Sequence, residues 1–554
     1  MPPKEVIGFY ISKSHILCSE ISLNRTFTDG KTILHWLANK FALSKNTLNV
    51  FWSLDFNVAA LLSKLGLSVE QLQTLMTNTK LSIGDIYTIT YIPSKYFAVR
   101  CGKNWNDPYA MFSNADQFDT MHLSTEDSAD FAYQCSCRAK AIGEEVRDAL
   151  SLLNVTNLPT IISPINAFCK TYMGTGKKWQ FPTVSDTDEI DPRIGEYAFA
   201  SLDAGLFEAT QKGHWDNVYD YDLNSAYSGA QSTLPDIRKG KWEHVTEFQD
   251  APIGFYKSDV TITSNFSPIG FKTKDFNFTP TGTWERVLTQ QQCEFIKKWG
   301  IGDFVVKDGF IWRPYEWDAI YTPLLKRLYE LKQSHNGITK NVMKRILSGL
   351  WGKSLEKQGE KFGEFFNPIV GAMVELNTRL KVANACMYHN VTPISVALDG
   401  IVVDQPLENL NMGDDMGQWK LSHQGKCINC NAELCLIEGK DSQQTFTVTY
   451  GWLRDEVEKN PDASRYTMTR NSCVTVGKVI QNPNLLGQLG EIIPTARSID
   501  LNVEFKRTYP EHPSTGRELL SGKIYNSLAP SIDMLKLLEL PDVDDSLLTD
   551  MDVA

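Results

Sequence analysis

The stretch NVYDYDLNSAYSGAQ, residues 217–231, decides how the chain is read. A β-rich run ends at Asp222, and small polar residues then turn the chain. A carboxylate at a strand end beside a turn reaches a bound cation without being buried unpaired. Taken alone, a strand-terminal Asp serves more often as a turn or helix-cap residue. Downstream, ISVALDGIVVD (residues 394–404) places two β-branched runs around Asp399-Gly400. That pair suits a tight two-residue hairpin with the carboxylate at its tip, and an ordinary Asp-Gly turn has the same signature. Between the two lies KNVMKRILSGLWGKS, residues 340–354. On a helix Lys340, Lys344, Ser348 and Gly352 share one face, cationic at one end and nearly bare at the other. A polyphosphate could meet the lysines while a flat base pair lies against Ser348, Gly349 and Gly352. Glycines inside a helix cost about 1 kcal/mol each relative to alanine, so two so close need a reason, and close approach of a ligand is one. The alternative is a solvated basic helix that tolerates its glycines.

The chain has 554 residues, which at about 150 per domain suggests three or four units. Its hydrophobic share of 42% and charged share of 22% exclude wholesale disorder and collagen-like repetition. Net charge is −11, which argues against a surface coated in basic groups but leaves room for a local basic groove. Six of the acids crowd into residues 539–552, so the acidic balance is partly an effect of the tail. Eleven unevenly spaced cysteines do not make a disulfide scaffold. The start lacks a signal-peptide core, and no apolar run is long enough to span a bilayer. The expectation is a soluble protein of a reducing compartment, the cytoplasm, with no membrane partner.

The first 185 or so residues alternate strand-like runs (VIGFYIS, NVFWSLDF) with helix-like ones (VAALLSKLG, EEVRDALSLLN), as in an α/β unit. The polar, aperiodic stretch 181–195 is the expected boundary. From about 190 to 325 β-branched and aromatic runs are broken by Gly and Pro, and two long helices then flank His335-Asn336-Gly337.

The order of the three motifs resembles motifs A, B and C of family B DNA polymerases. Their D-x-x-S-L-Y-P-S reads here Asp222-Leu-Asn-Ser225-Ala-Tyr227-Ser228-Gly229. Their K-x-x-x-N-S-x-Y-G reads Lys344-Arg-Ile-Leu-Ser348-Gly349-Leu-Trp351-Gly352, and their D-T-D-S reads Ala397-Leu398-Asp399-Gly400. Leu202-Asp203-Ala204-Gly205 stands where the protein-primed branch, found in phages, viruses and linear plasmids, has its Y-x-G-G template-binding turn. FNPIVGAMVELNTRL, GQWK and DLNVEFKRTYP also look like that branch, so the likeness covers nearly the whole chain.

The resemblance implies an α/β and α+β multidomain protein. A ribonuclease-H-like exonuclease domain (1–185) would be followed by palm (186–325 and 386–455), fingers (326–385) and thumb (456–540), with an acidic tail at 541–554. It implies catalytic Asp222 and Asp399, which with the Leu223 carbonyl hold two Mg²⁺ ions, Mn²⁺ being able to substitute. It implies nucleotide contacts from Tyr227, Lys344, Ser348 and Trp351, supported by Lys340, Lys326 and Arg327, and a steric gate at Tyr227. Ala204, Gly205, Tyr450, Lys506 and Arg507 are the implied DNA contacts. Lys326 to Lys357 carry eight bases against Glu330 and Glu356, which fits fingers facing phosphate. The partners implied are primer-template DNA, dNTPs and a terminal protein or other priming or processivity partner. The reaction is template-directed DNA synthesis for a viral or mobile genome; a pseudo-polymerase acting as a DNA-binding replication scaffold is the alternative. Ala397 replaces the first motif C acid, and no Lys precedes Tyr450 as in the branch's K-x-Y motif.

The branch's exonuclease uses four acids. Tyr10 and Ser12 stand at two of those positions and Asn57 at a third, with Trp52 and Ser53 also substituted. In the third motif Ala141 replaces Tyr, and Glu145 alone keeps an acid. Two cations need several oxygen ligands, so no proofreading is expected. Asp55, on a strand, would share the face of Asn57 and offers a shifted site. Between Gly352 and Asp399 the chain is short, which implies lower processivity or a helper. His423, Cys427, Cys430 and Cys435 fit no common zinc spacing, and a reduced β-loop is the favoured reading. Gly174-Thr-Gly-Lys-Lys lacks the P-loop spacing.

Overall fold

The computed structural model describes residues 5–19, 29–42, 47–118, 128–155, 164–172, 191–273, 276–358, 361–440, 448–501, 503–504 and 506–538. The expected boundary lies largely outside these residues, as do Gly174-Thr-Gly-Lys-Lys and the acidic tail.

The N-terminal unit is built on a seven-stranded sheet in the order Ile16–Cys18, Glu5–Ile11, Thr47–Phe51, Tyr109–Asn114, Tyr96–Cys101, Tyr87–Ile92, Lys80–Ile83. Glu5–Ile11, Thr47–Phe51 and Tyr109–Asn114 run parallel, and the rest pair antiparallel. The long helix Ala129–Ser151 packs across the first strand, turning Ala132, Cys135, Ala139 and Val146 inward. NVFWSLDF is a strand only as far as Phe51; Leu54 opens the helix Leu54–Lys64, with Ser53 as its N-cap residue.

The central sheet is antiparallel throughout: Leu434–Ile437, Trp419–Asn431, Gln211–Leu223, Gly400–Val403, Ser395–Ala397 and Phe207–Ala209, with Tyr525–Asn526 pairing onto Gln211–Leu223. The helix Pro368–Tyr388 is enclosed on nearly all sides, burying Glu375, Thr378 and Arg379 along with its apolar residues. A second antiparallel sheet follows the order Gly240–Val245, Gly302–Pro314, Ile253–Ile262, Gly282–Thr289 and carries the helix Gln290–Trp299.

The expected helix pair is Thr322–Ser334 and Gly337–Leu350. The second buries Val342, Met343, Ile346, Leu347 and Leu350 and leaves Lys340, Lys344 and Ser348 exposed. It ends at Leu350, and Trp351–Leu355 tightens into a 3₁₀ turn, so Gly352 does not continue the α-helix. The C-terminal part pairs the strands Arg465–Cys473 and Ile492–Asp500. Its base (Val474, Val476, Val479, Leu489) shares one apolar core with the N-terminal unit and the helix pair, and Lys13 pairs with Glu491 at 2.6 Å. Among the described residues no helix is long and apolar enough to cross a membrane.

Candidate active site

Asp222 ends the strand Gln211–Leu223, and Asp399 sits at the tip of the hairpin formed by Ser395–Ala397 and Gly400–Val403. The register sets Gly400 directly opposite Asp222, and the Leu223 N–H donates to the Asp399 carbonyl at 3.0 Å. The two acids, far apart in sequence, therefore stand side by side. The hairpin turn differs from the expected one. Ala397 pairs with Gly400, so the two turn residues are Leu398 and Asp399 rather than Asp399 and Gly400. Leu398 takes the left-handed conformation (φ 56°). That conformation costs a bulky residue roughly 1–2 kcal/mol, so packing must hold it there.

Burial pushes the Asp399 carboxyl up to about 6, and the neighbouring Asp222 charge pushes the same way; Lys420 and Lys344 oppose both. Two adjacent carboxylates, one half-buried, form an all-oxygen donor set suited to a hard divalent cation, and the Leu223 backbone is bonded into the same turn. The residues present thus fit the implied Mg²⁺. Among the described residues no group of three His, Cys, Asp or Glu side chains could hold a metal, so any further ligands would come from backbone or substrate.

Four lysines converge here. Lys420 stands across the sheet from Asp222 and pairs with it at 2.9 Å. Lys332 donates to Ser225 Oγ at 2.9 Å. Burial and then the charges of Lys420, Lys344 and Lys340 pull Lys332 down to about 8. Lys420 entered the sequence reading only within GQWK, and Lys332 only as one of eight bases. Pairing the GQWK strand with the motif A strand would have exposed the first. The other bases of the helical pair turn elsewhere. Arg327 donates to the Leu152 carbonyl at 3.4 Å, and Arg345 bonds the Gln117 carbonyl and lies over the Phe118 ring, both in the N-terminal unit. Lys353 pairs with Glu356, and Lys357 lies over the Phe199 ring. Lys326 is exposed.

Tyr227 and Trp351 stack, with ring centroids 4.5 Å apart and planes 10° off parallel. The buried Ser228 hydroxyl, on the short helix Ala226–Ser232, donates to the Leu347 carbonyl at 2.9 Å and locks that helix to Gly337–Leu350. Ser348 is exposed, its hydroxyl bonded back to the Lys344 carbonyl at 2.8 Å. The two glycines have different explanations. A Cβ on Gly349 would lie 2.2 Å from Ile165 Cδ1, so Gly349 admits the helix Pro164–Tyr172; Gly352 alone faces open space.

Ala204 is exposed and left-handed (φ 58°), and Gly205 follows it. Beneath them Asp203 pairs with Arg286 at 2.9 Å, and Arg379 donates to the Ala204 carbonyl at 2.8 Å. The remaining implied DNA contacts face inward. Arg507 is buried, pairing with Glu208 at 3.1 Å and donating to Ser527 and Asn265. Lys506 donates to the Phe207 carbonyl at 3.2 Å and is largely covered, which lowers its pKa. Tyr450 is buried, with its hydroxyl on His214 at 2.9 Å. Their polar groups are already partnered: the chain around Lys506 and Arg507 returns to the central sheet, where Tyr525–Asn526 pairs with Gln211–Leu223, and Tyr450 opens the helix Tyr450–Lys459 beside the same strand.

In the N-terminal unit, Tyr10 is buried against Trp52, Phe56 and Phe131 at ring separations of 5.5–6.1 Å. Asn57 is buried; its amide donates to the Ile11 carbonyl at 2.8 Å and accepts from Ser53 N–H. Ser12 is buried and Glu145 is exposed. Asp55 lies on a helix and does not share the face of Asn57; it accepts from the Tyr91 hydroxyl at 2.7 Å and from Ser94. The cysteines gather no ligand set: Cys427 and Cys430 lie in different apolar clusters, and His423 faces Asp220 at 3.5 Å.

No family model matches the chain. An alignment of 241 positions, covering 40% of this chain, is 25% identical to a DNA polymerase of Acidianus bottle-shaped virus (isolate Italy/Pozzuoli). The match spans 36% of that relative's length. Among solved structures, Phi29 DNA polymerase superposes with a TM-score of 0.61 at 13% identity, over 90% of this chain and 100% of that one. Phi29 DNA polymerase complexed with primer-template DNA and incoming nucleotide substrates gives a TM-score of 0.56 at 14% identity, over 91% and 100%. The chain has, along nearly its whole length, the multidomain α/β fold of the Phi29 DNA polymerase, as the resemblance to protein-primed family B polymerases led one to expect.

Proposed function

We propose that the chain is a template-directed DNA polymerase that adds dNTPs to a primer end on primer-template DNA, replicates a viral or mobile genome, and does not proofread. The observation that carries this reading is the register that puts Gly400 opposite Asp222 and so brings the two carboxylates together beside four lysines. In this reading residues 186–325 and 386–455 are the palm, 326–385 the fingers, 456–540 the thumb, and 1–185 a degenerate exonuclease domain.

Asp222, Asp399 and the Leu223 carbonyl would hold two Mg²⁺ ions, which when bound supply Lewis-acid activation of the primer hydroxyl and neutralise charge on the leaving pyrophosphate. A bond forms between the primer 3′ oxygen and the α-phosphorus as the bond to pyrophosphate breaks. Lys340 and Lys344 project from an exposed helix face and bind the triphosphate, with Lys332, tied to Ser225, beside them. Tyr227, braced by Trp351, lies under the sugar and excludes a 2′-hydroxyl. Ser348 and Gly352 flank the nascent base pair, and the exposed Ala204-Gly205 turn receives the template.

Absence of proofreading is supported by what fills the former acid positions. A ring cluster surrounds Tyr10, and Asn57 is bonded to the backbone, so neither is free to bind a cation. Among the described residues a short hairpin, Lys357–Gln358 with Lys361–Phe362, links the 3₁₀ turn to the helix Pro368–Tyr388, and the shortness of the link supports reliance on a processivity or priming partner such as a terminal protein. Ala397, exposed where the family keeps an acid, favours the second reading, a DNA-binding scaffold. Primer extension with Mg²⁺ decides between them: template-dependent extension that Asp222→Asn and Asp399→Asn abolish supports the polymerase, and DNA binding without extension supports the scaffold.

A further inference from the structure

The conformation next to Asp399 is unusual for its residue type. Leu398 is one of eight described non-glycine residues with positive φ, and a branched side chain is held left-handed only where its surroundings over-determine it. Three contacts do so, and all come from one segment. The Leu398 N–H donates to the Leu206 carbonyl at 2.8 Å. Ala397, the residue before it, pairs with Phe207 across the sheet. The Leu398 side chain rests over Gly205, where an added Cβ would lie 2.0 Å from Leu398 Cδ2. Gly205 is therefore small because Leu398 occupies the space a side chain would take.

The segment is itself fixed from below. Asp203 is buried and bonded to Arg286, to Gln292 at 3.0 Å and to the Gly270 N–H at 3.2 Å; its own N–H donates to Glu375 at 3.2 Å. Arg379 spans the Ala204 carbonyl and the Pro268 carbonyl, at 2.8 and 2.6 Å. A turn anchored this firmly defines where Leu398 sits, and the residue that follows Leu398 carries the carboxylate.

We infer that Gly205 and Leu398 are a positioning pair: the Leu202–Gly205 turn, through the Leu398 side chain, sets the placement of the Asp399 carboxylate relative to Asp222. In this role neither residue touches the incoming nucleotide or the primer end. The inference rests on the polymerase reading. It deepens that reading by linking the segment proposed to receive template directly to the acid proposed to act in nucleotidyl transfer.

A size-swap cycle tests it. Gly205→Ala adds the clashing methyl, Leu398→Ala removes the group it clashes with, and the double variant carries both. Primer extension gives kcat and the dNTP KM, and Mn²⁺ binding to the DNA-free chain, followed by electron paramagnetic resonance, reports the carboxylate pair without turnover. A displacement on the order of 1 Å costs about 100-fold in rate. Gly205→Ala should therefore lower kcat about 10- to 100-fold, with dNTP KM within about 3-fold, and weaken Mn²⁺ binding. Leu398→Ala should cost about 3- to 10-fold, and the double variant should match Leu398→Ala rather than multiply the two losses. Gly205→Ala with wild-type kcat and Mn²⁺ affinity overturns the inference. So do multiplied losses in the double variant, or a Gly205→Ala loss confined to DNA affinity. If Gly205→Ala is recovered only unfolded, the double variant must restore a folded, active chain, and failure to do so also overturns it. A wild-type chain that extends no primer rejects the polymerase reading instead, and the Mn²⁺ arm still judges the pair.

Discussion

The ring of Tyr227 lies flat against the indole of Trp351, 4.5 Å away and 10° from parallel. Offset stacking of this kind contributes about 0.5–1.5 kcal/mol beyond area burial and fixes the ring plane. Tyr227 comes from the short helix Ala226–Ser232 that follows Asp222, whereas Trp351 follows the lysine-bearing helix, so the stack ties the two sides of the site together. Tyr227→Val should lower the preference for dNTP over rNTP by about 100-fold, because a built-in clash against the 2′-hydroxyl is removed. Trp351→Ala should lower it less and raise the dNTP KM. Competing incorporation of dNTP and rNTP on one template checks both.

Lys420 occupies Asp222 at 2.9 Å. An ammonium on a carboxylate must move or share before a divalent cation binds there. Lys420→Met should reduce the Mg²⁺ concentration for half-maximal extension by about 3- to 10-fold, which corresponds to about 1 kcal/mol of competition, the range of a partly exposed pair. A Mg²⁺ titration at fixed dNTP and primer-template measures it; an unchanged midpoint would show that the pair does not compete.

The ring cluster around Tyr10 leaves no room for an acid. Tyr10→Asp buries a carboxylate among Trp52, Phe56 and Phe131 and should destabilise the chain by about 3–5 kcal/mol without restoring any shortening of a mismatched primer. Thermal unfolding and a 3′–5′ degradation assay give the two readouts. Efficient removal of a mismatched 3′ nucleotide by the wild-type chain would refute the reading of this domain.

Glu375 is buried, and burial followed by the charge of Asp203 raises its carboxyl to about 7, against the opposing effects of Arg379, the Asp203 N–H and Lys272. A folded-state pKa above the unfolded one favours the protonated form. Its contribution to stability is complete below about 4.5 and is lost as pH rises through about 7. Glu375→Gln keeps an acceptor for the Asp203 N–H and removes the ionisable proton. It should stabilise the chain at pH 8 by roughly 1–3 kcal/mol, with the gain vanishing near pH 5. Melting curves across that range test the sign.

Much of the chemistry was legible along the chain. Asp222 at a strand end, and Lys340 and Lys344 on one helix face, appear in the structure as read. Local rules carry such readings, because strand alternation, helix periodicity and turn chemistry act over a few residues. The errors share a cause too. Asp399-Gly400 read as the turn, but pairing of Ala397 with Gly400 moved the turn back one residue. Arg507 and Lys506 looked like DNA contacts until the return of their segment to the central sheet gave them Glu208 and Phe207 as partners. Gly349 was assigned to a ligand, and Ile165 occupies that space.

The amino-acid sequence by itself determined which side chains carry charge and which runs form helices and strands, since those depend on neighbours along the backbone. Only the tertiary structure decided which charges meet: Asp222 with Asp399 and Lys420, Leu398 over Gly205, Arg507 with Glu208. Cross-strand register and burial set those encounters, and both arise from packing between segments far apart in the chain, which no local pattern encodes.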